Sequence, residues 1–231
     1  MQLTSPYGKP IEFRPIMPTD IGNVSLRCFP EDRSVIERLF TEQGTIGASA
    51  WEGDTCVGQL HGYRVDLPSG HSPYWPSWNK WWGTVERTPE ATRLVNTFNG
   101  KAWCIACSHV GRTLKGDSST DRPDPAYFGI GIAGALLQAT VDWAPDNGYR
   151  YVMAMGAPAG CRELSIWWGS IPWTTYEKLG FDGVRLDGGL NELPPWMDDP
   201  VPPEVDSERQ RVKVDGREPH EYWPRLMILK L

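Results

Sequence analysis

A glycine-rich segment that leads into a helix is the feature that most constrains this chain of 231 residues. The segment runs from Phe128 to Leu137 (FGIGIAGALL), and Ile132, Leu136 and Val141 form an apolar stripe that predicts a helix over 132–143. Glycine lets the backbone approach a ligand closely. The start of a helix offers unpaired N–H groups and a partial positive charge. The segment therefore predicts a phosphate-binding turn.

Other phosphate-binding patterns are alternatives for these glycines. A Walker loop ends in Gly-Lys followed by Ser or Thr, whereas Gly134 is followed by Ala135, so that motif is excluded. The spacing of Gly129, Gly131 and Gly134 matches the dinucleotide fingerprint, which directly follows a strand and is answered by an acid about 20 residues later. Here Arg-Pro-Asp-Pro precedes the glycines and the next strand lacks an acid. That site stays open as an alternative, as do glycines that serve only close packing of the helix on a strand.

Charge, hydropathy and cysteine content exclude several classes of function. The chain carries 23 Lys and Arg against 29 Asp and Glu, a net charge of −6 without a dense basic run, which predicts no nucleic-acid partner. No apolar run reaches the roughly 18–20 residues of a membrane span, and the start of the chain lacks a signal-peptide pattern, so we expect a cytoplasmic protein outside the membrane. Cys104 and Cys107 form a single CxxC without a second pair, which predicts free thiols and no metal site.

Strand and helix patterns alternate along the chain. They predict one α/β (α+β) domain over residues 1–231, with a mixed sheet, flanking helices and two long insertions at about 66–100 and 187–222. The predicted strands are Ile11–Ile16, Gly47–Trp51, Thr55–Val65, Lys101–Val110, Tyr149–Met155, Phe181–Leu186 and Arg225–Leu231. The predicted helices are Thr19–Leu26, Ser34–Glu42, Ile132–Trp143 and Pro172–Leu179.

Two segments resemble motifs of the GNAT N-acetyltransferases. Phe128–Leu137 is similar to the pyrophosphate-binding turn of that family, Arg/Gln-x-x-Gly-x-Gly/Ala, with Gly131 and Ala133 on the small positions and Phe128 where the family prefers Arg or Gln. Thr174–Phe181 resembles the family's later helix, which ends in Tyr-x-x-x-Gly-Phe. The order of the elements also resembles the family over nearly the whole chain.

The resemblance implies a splayed strand pair in the sheet and transfer of an acyl group, acetyl first of all, from acetyl-CoA to a small-molecule amine. The pantetheine arm of the co-substrate would lie against His109 and Val110, and Tyr176 would protonate the departing thiolate. The pyrophosphate would bind the turn formed by Phe128, Gly129, Ile130, Gly131, Ile132, Ala133 and Gly134. The alternative for Tyr176 is a core residue that stacks on Phe181, and the alternative function is a non-catalytic acyl-CoA-binding or sensor domain.

An attacking amine must be neutral, so a base or a water relay is required. His109 is the base candidate that we name, beside His61, Asp66 and Glu86, and a structural histidine is the alternative.

The Trp-rich stretch 75–82 predicts an aromatic lid over the acceptor, formed by Trp78, Trp81 and Trp82. A self-packed loop or a homodimer contact is the alternative for this stretch.

Overall fold

The computed structural model describes residues 3–26, 29, 33–72, 76–111, 123–159, 162–186, 203–214 and 224–231. Within the helices, the description excludes the side chains of residues 76–81, 167–168, 209 and 211–214. Trp75, and the side chains of Trp78 and Trp81, therefore lie outside the described part of the chain.

The described residues form eight strands and seven α-helices. The strands are β1 Leu3–Thr4, β2 Pro10–Pro15, β3 Gly47–Glu52, β4 Thr55–Leu67, β5 Gly100–Val110, β6 Tyr151–Gly156, β7 Asp182–Arg185 and β8 Arg225–Lys230. The helices are α1 Arg33–Gln43, α2 Pro76–Arg87, α3 Pro89–Val95, α4 Ile132–Asp146, α5 Arg162–Trp168, α6 Trp173–Glu177 and α7 Pro203–Val214. None of these helices is long and apolar enough to cross a bilayer.

The strands form one mixed sheet in the order β1-β2-β3-β4-β5-β6-β8-β7, which confirms the predicted α/β class. The chain divides into two compact units, Met1–Tyr63 with Ile105–Gly148 and Arg64–Cys104 with Tyr149–Leu231. A single domain over residues 1–231 and a splayed strand pair stay predictions.

In the first unit, strands β2, β3 and β4 pair antiparallel and α4 packs on this part of the sheet. The close approach of α4 depends on Gly58 in β4. A Cβ atom at Gly58 would lie 2.6 Å from Ile132 Cγ2 and 3.3 Å from Leu136 Cδ1. The missing side chain thus lets the first turns of α4 rest directly on the strand, which fixes where the helix begins.

In the second unit, β8 lies between β6 and β7 and pairs antiparallel with both. Gly156 at the end of β6 sets the position of α6, because a Cβ atom there would lie 2.6 Å from Trp173 Cβ. The N–H of Trp173 donates to the carbonyl of Ala157 at 2.9 Å, which ties the start of α6 to the end of β6.

One predicted helix is wrong, and another ends later than predicted. Residues 19–26 are not a helix, because Pro18–Asp20 forms a single 3-10 turn and Gly22 adopts φ +106°. Helix α4 continues through Pro145 to Asp146, since a proline in the last turn removes only one hydrogen bond. The chain turns at Gly148, whose φ of +77° suits glycine.

Helices were not expected inside the two insertions. The first insertion forms α2 and α3. The second insertion, for which the sequence predicts irregular structure, contains α7. Strand β1 and helix α5 were also not predicted.

Candidate functional site

The glycine segment forms a turn whose backbone requires glycine at two positions. Gly129 has φ +77° and Gly131 has φ +96°, both in the left-handed region that favours glycine. Asp124 fixes the approach to this turn, because its carboxylate accepts a 2.9 Å hydrogen bond from Ala126 N–H. The chain then enters α4 at Ile132, as predicted.

The start of α4 leaves backbone donors without helical partners. The first helical hydrogen bond runs from Ala135 N–H to Gly131 C=O at 3.0 Å. The N–H groups of Ile132, Ala133 and Gly134 lie before this bond and have no acceptor within the helix. The N-cap residue is Gly131, which has no side chain that could cap them. These groups form a local concentration of positive potential that suits an anion.

The space around each glycine shows whether a side chain would fit at that position. Within the described residues, a Cβ atom at Gly129 or Gly134 would meet nothing within 4 Å, and one at Gly131 would meet only Leu3 Cδ1 at 3.9 Å. Close packing of the helix on a strand therefore does not explain them. Gly134 is the informative case, because it lies inside α4 without a positive φ, where alanine would stabilise the helix.

A pair of carboxylate contacts anchors the approach to the turn. The Tyr127 hydroxyl donates a 2.8 Å hydrogen bond to Glu52 Oε2, and the Tyr7 hydroxyl donates a 2.8 Å hydrogen bond to Asp124 Oδ2. Burial first and the Glu52 hydrogen bond second raise the pKa of Tyr127, so this hydroxyl stays protonated. Neither contact follows from the sequence, in which the position of Tyr127 next to the turn is the local signal.

The end of β5 is joined to the same turn through Gly111. Its N–H donates to Val57 C=O at 2.7 Å, and its carbonyl accepts from Asp124 N–H at 2.9 Å. Gly111 has φ +75°, and a Cβ atom there would clash with the Asp124 carbonyl. The structure thus brings the predicted pantetheine-binding residues His109 and Val110, both half-buried, to the strand end that adjoins the glycine turn.

The histidine candidates for the base lie in a group with a cysteine. His61 is fully buried, with its Nδ1 3.1 Å from Cys107 Sγ and its Nε2 3.1 Å from Gln59 Oε1. The ring of His109 lies 5.8 Å from the ring of His61, centroid to centroid. Both nitrogens of His61 are engaged, as expected of a structural histidine, whereas His109 is the more accessible of the two.

The two acidic base candidates belong to the second unit and take part in exposed ion pairs. Asp66 binds Arg64 at 2.9 Å, and Glu86 lies 3.1 Å from His71 Nε2.

Tyr176 is buried in the second unit. It is 1% exposed, and its ring lies 5.2 Å from that of Phe181 in an edge-to-face arrangement, which is the contact named above as the alternative for Tyr176. Burial raises the pKa of Tyr176 far above its ordinary value, so the hydroxyl carries its proton at any physiological pH. Its role as a general acid stays a prediction.

Trp82 also packs inside the second unit. It is 2% exposed, and its ring covers Gly70, where a Cβ atom would overlap it. A role of Trp82 in binding the acceptor stays a prediction.

Neither family models nor curated protein sequences match the chain. Several solved structures are similar to it. A protein of the yellow fever mosquito Aedes aegypti, assigned as arylalkylamine N-acetyltransferase 7, matches 100% of this chain and 92% of its own with a TM-score of 0.56 at 12% identity. The apo form of an agmatine N-acetyltransferase matches with a TM-score of 0.53 at 12% identity, over 96% of this chain and 100% of its own.

A third solved structure, a mosquito arylalkylamine N-acetyltransferase like 5b, has a TM-score of 0.52 at 16% identity, over 96% of this chain and 100% of its own. Likeness at such low identity shows the fold alone and does not carry an activity across. The resemblance found in the sequence is confirmed at that level: the chain has a GNAT-like fold.

Proposed function

We propose that this protein is an acyl-CoA-dependent N-acyltransferase that transfers an acetyl group from acetyl-CoA to a primary amine of a small molecule. The observation that carries the proposal is the open space at Gly134 beside the N–H groups of residues 132–134, which precede the first helical hydrogen bond of α4. Neither backbone geometry nor packing within the described residues requires glycine there, whereas a closely approaching phosphate does.

The turn suits the pyrophosphate of CoA. Backbone N–H groups from Gly129 to Gly134 supply the donors, so an acidic protein can hold the anion without a cluster of Lys or Arg. His109 and Val110, on the strand end that Gly111 joins to the turn, are the residues proposed to lie against the pantetheine arm.

The proposed reaction is a direct transfer. The amine nitrogen attacks the thioester carbonyl, a C–N bond forms, and the C–S bond breaks. The thiolate of CoA receives a proton from Tyr176, and the amine loses a proton to His109 or to water. Burial keeps the Tyr176 hydroxyl protonated but, because it raises the pKa, also makes it a weaker acid, so donation requires a direct hydrogen bond to the developing thiolate.

The acceptor is proposed to be a small amine. Solved structures similar to this chain are assigned as acetyltransferases of arylalkylamines and agmatine, which supports this class of acceptor without choosing a member. A net charge of −6 favours the approach of a cationic amine. Trp78, Trp81 and Trp82 are the residues proposed to contact it.

An amine panel tests the proposal. Purified protein is incubated with acetyl-CoA and each of a set of arylalkylamines, diamines and guanidinoamines, and the release of free CoA thiol is followed. The proposal expects thiol release that depends on the amine and yields an equal amount of N-acetylated product. Tight binding of acetyl-CoA without turnover on any amine would instead identify a non-catalytic binding domain.

A further inference from the structure

Two histidines and a cysteine converge within the first unit, and the proposed function uses only His109 of the three. Cys107 and His109 are two residues apart in β5, so their side chains project from the same face of the strand. His61 comes from β4. One imidazole nitrogen of each histidine and the sulfur of Cys107 all lie within 4.8 Å of one another.

The hydrogen bonds of His61 indicate which of its ring nitrogens can bind a metal ion. Gln59 Oε1 lies 3.1 Å from Nε2, and a carbonyl oxygen there accepts a hydrogen bond, so Nε2 carries the hydrogen and donates it. The other nitrogen, Nδ1, then holds a lone pair directed at Cys107 Sγ, 3.1 Å away. A histidine whose second N–H is held by a side-chain oxygen is the usual arrangement around a protein-bound metal ion.

We infer that His61, Cys107 and His109 bind one zinc ion. Two imidazole nitrogens and a thiolate are donors that zinc prefers, at about 2.0–2.1 Å for nitrogen and about 2.3 Å for sulfur. Tetrahedral geometry with those bond lengths separates the ligand atoms by about 3.3–3.6 Å. The distance of 3.1 Å between Nδ1 and Sγ and the 4.8 Å limit for the group require only small side-chain shifts.

The binding step balances in protons and charge. The thiol of Cys107 loses its proton to solvent and forms a bond from sulfur to zinc, and the lone pairs of the two imidazoles form the other bonds. The contact between His61 and Cys107 is thereby replaced by two metal bonds. Three protein ligands leave the fourth position of a tetrahedral ion for water or a small ligand.

The CxxC pair in the sequence points to a different and less suitable set of ligands. Cys104 and Cys107 are three residues apart in a strand, which directs their side chains to opposite faces. The zinc ligands are instead a Cys-x-His pair and a histidine 46 residues earlier than Cys107. The inference goes beyond the proposed acyl transfer, and a nitrogen of His109 bound to zinc could not serve as the base.

Metal analysis of the purified, untagged protein tests the inference. After equilibration with buffered zinc and removal of free metal, the wild type is expected to retain one zinc ion per chain. Cobalt in place of zinc is expected to show a thiolate-to-cobalt absorption band. Cys107→Ser should abolish the band and His109→Asn should release the metal, whereas Cys56→Ser, which removes another buried thiol of the same unit, should retain both.

A positioning variant adds a graded readout. Gln59→Leu removes the acceptor of the Nε2 proton and is expected to weaken zinc affinity by about 10–100-fold while the cobalt band persists at saturation. Circular dichroism of each variant establishes that it is folded. The inference is overturned if the folded wild type retains only trace zinc, or if Cys107→Ser and His109→Asn both retain zinc as the wild type does. Metal analysis measures neither acetyl-CoA binding nor turnover, so its failure is distinct from failure of the proposed function.

Discussion

The hydroxyl of Tyr127 donates a 2.8 Å hydrogen bond to the carboxylate of Glu52, although 75 residues separate the two in the chain. Glu52 ends β3 at the β3–β4 hairpin, and Tyr127 immediately precedes the glycine turn. Both side chains are buried, so the contact ties the turn to the sheet. The position of the free N–H groups at the start of α4 depends on this contact as well as on the packing of Ile132 against Gly58.

Removal of the Tyr127 hydroxyl should therefore destabilise the protein. Tyr127→Phe removes the hydrogen bond to Oε2 of the buried Glu52, while the ion pair of Glu52 Oε1 with Lys9 at 3.7 Å remains. We expect the loss of this hydrogen bond to lower the free energy of unfolding by about 1–3 kcal/mol. Urea denaturation at neutral pH measures the change. Tyr7→Phe is the matched control, because Tyr7 also donates to a carboxylate but is 60% exposed, and it should change stability little. Equal effects of the two variants would contradict an anchoring role for Tyr127.

Gly134→Ala should separate stability from ligand binding. Without ligand, we expect the variant to be more stable by up to about 1 kcal/mol, because alanine favours a helix and the described residues leave room for its methyl group. Binding of acetyl-CoA should nevertheless weaken, because the methyl group occupies the space proposed for the pyrophosphate. Thermal unfolding and calorimetric titration measure the two effects.

Two other glycines serve as controls for that prediction. Gly83→Ala in α2 also fills open space among the described residues and should stabilise the protein without any effect on acetyl-CoA binding. Gly131→Ala should lower the free energy of unfolding by about 1–2 kcal/mol, since φ is +96° there. If Gly134→Ala binds acetyl-CoA as the wild type does, the pyrophosphate does not lie on this turn.

Asp20 should make stability depend on pH. Burial alone would raise the pKa of Asp20, but hydrogen bonds from Arg14 at 2.6 and 2.8 Å and from Met17 N–H at 2.8 Å hold the pKa below its ordinary value. A carboxylate with a lowered pKa in the folded state contributes stability above its unfolded pKa, about 3.9, and loses that contribution as the pH falls through the folded pKa.

Asp20→Asn is therefore expected to lower the free energy of unfolding at pH 7 by about 1–3 kcal/mol. The difference from the wild type should shrink as the pH falls below about 4, where the wild-type carboxylate becomes protonated. Urea unfolding across this pH range measures the difference in the free energy of unfolding. A difference of constant size down to the lowest pH would show that Asp20 does not act through its charge.

Tyr176→Phe tests the proposed general acid. We expect turnover with the best amine to fall by about 100-fold or more, while the dissociation constant for acetyl-CoA stays unchanged. Tyr151→Phe is the control, because Tyr151 is a buried tyrosine of the same unit whose ring lies 4.8 Å from Phe98. Turnover should survive in the control. Equal losses in both variants would assign Tyr176 to packing alone.

Local sequence patterns were sufficient to predict much of the fold. The alternation of β3 and β4 around Gly53 and the apolar stripe of α4 are both properties of adjacent residues, and both elements are present as expected. The stacking of Tyr176 on Phe181 spans only five positions, so it too could be predicted.

Contacts between distant residues could not be predicted in this way. The failure of helix 19–26 has a more local cause, because the Asp20 carboxylate accepts hydrogen bonds from Arg14 and from Met17 N–H, six and three positions away. The contact of Tyr127 with Glu52 and that of His61 with Cys107 join residues 75 and 46 positions apart. Hydrophobic periodicity carries no information about such pairs. The site therefore depends on contacts that only the folded chain reveals.

The central claim is that the glycine turn at the start of α4 holds the pyrophosphate of acetyl-CoA. The most direct test is calorimetric titration of the wild-type protein with acetyl-CoA and, in parallel, with acetyl-pantetheine, which keeps the thioester and lacks the pyrophosphate. If the turn holds the pyrophosphate, acetyl-CoA binds saturably and acetyl-pantetheine binds much more weakly. Absence of acetyl-CoA binding, or equal affinity for the two compounds, would contradict it.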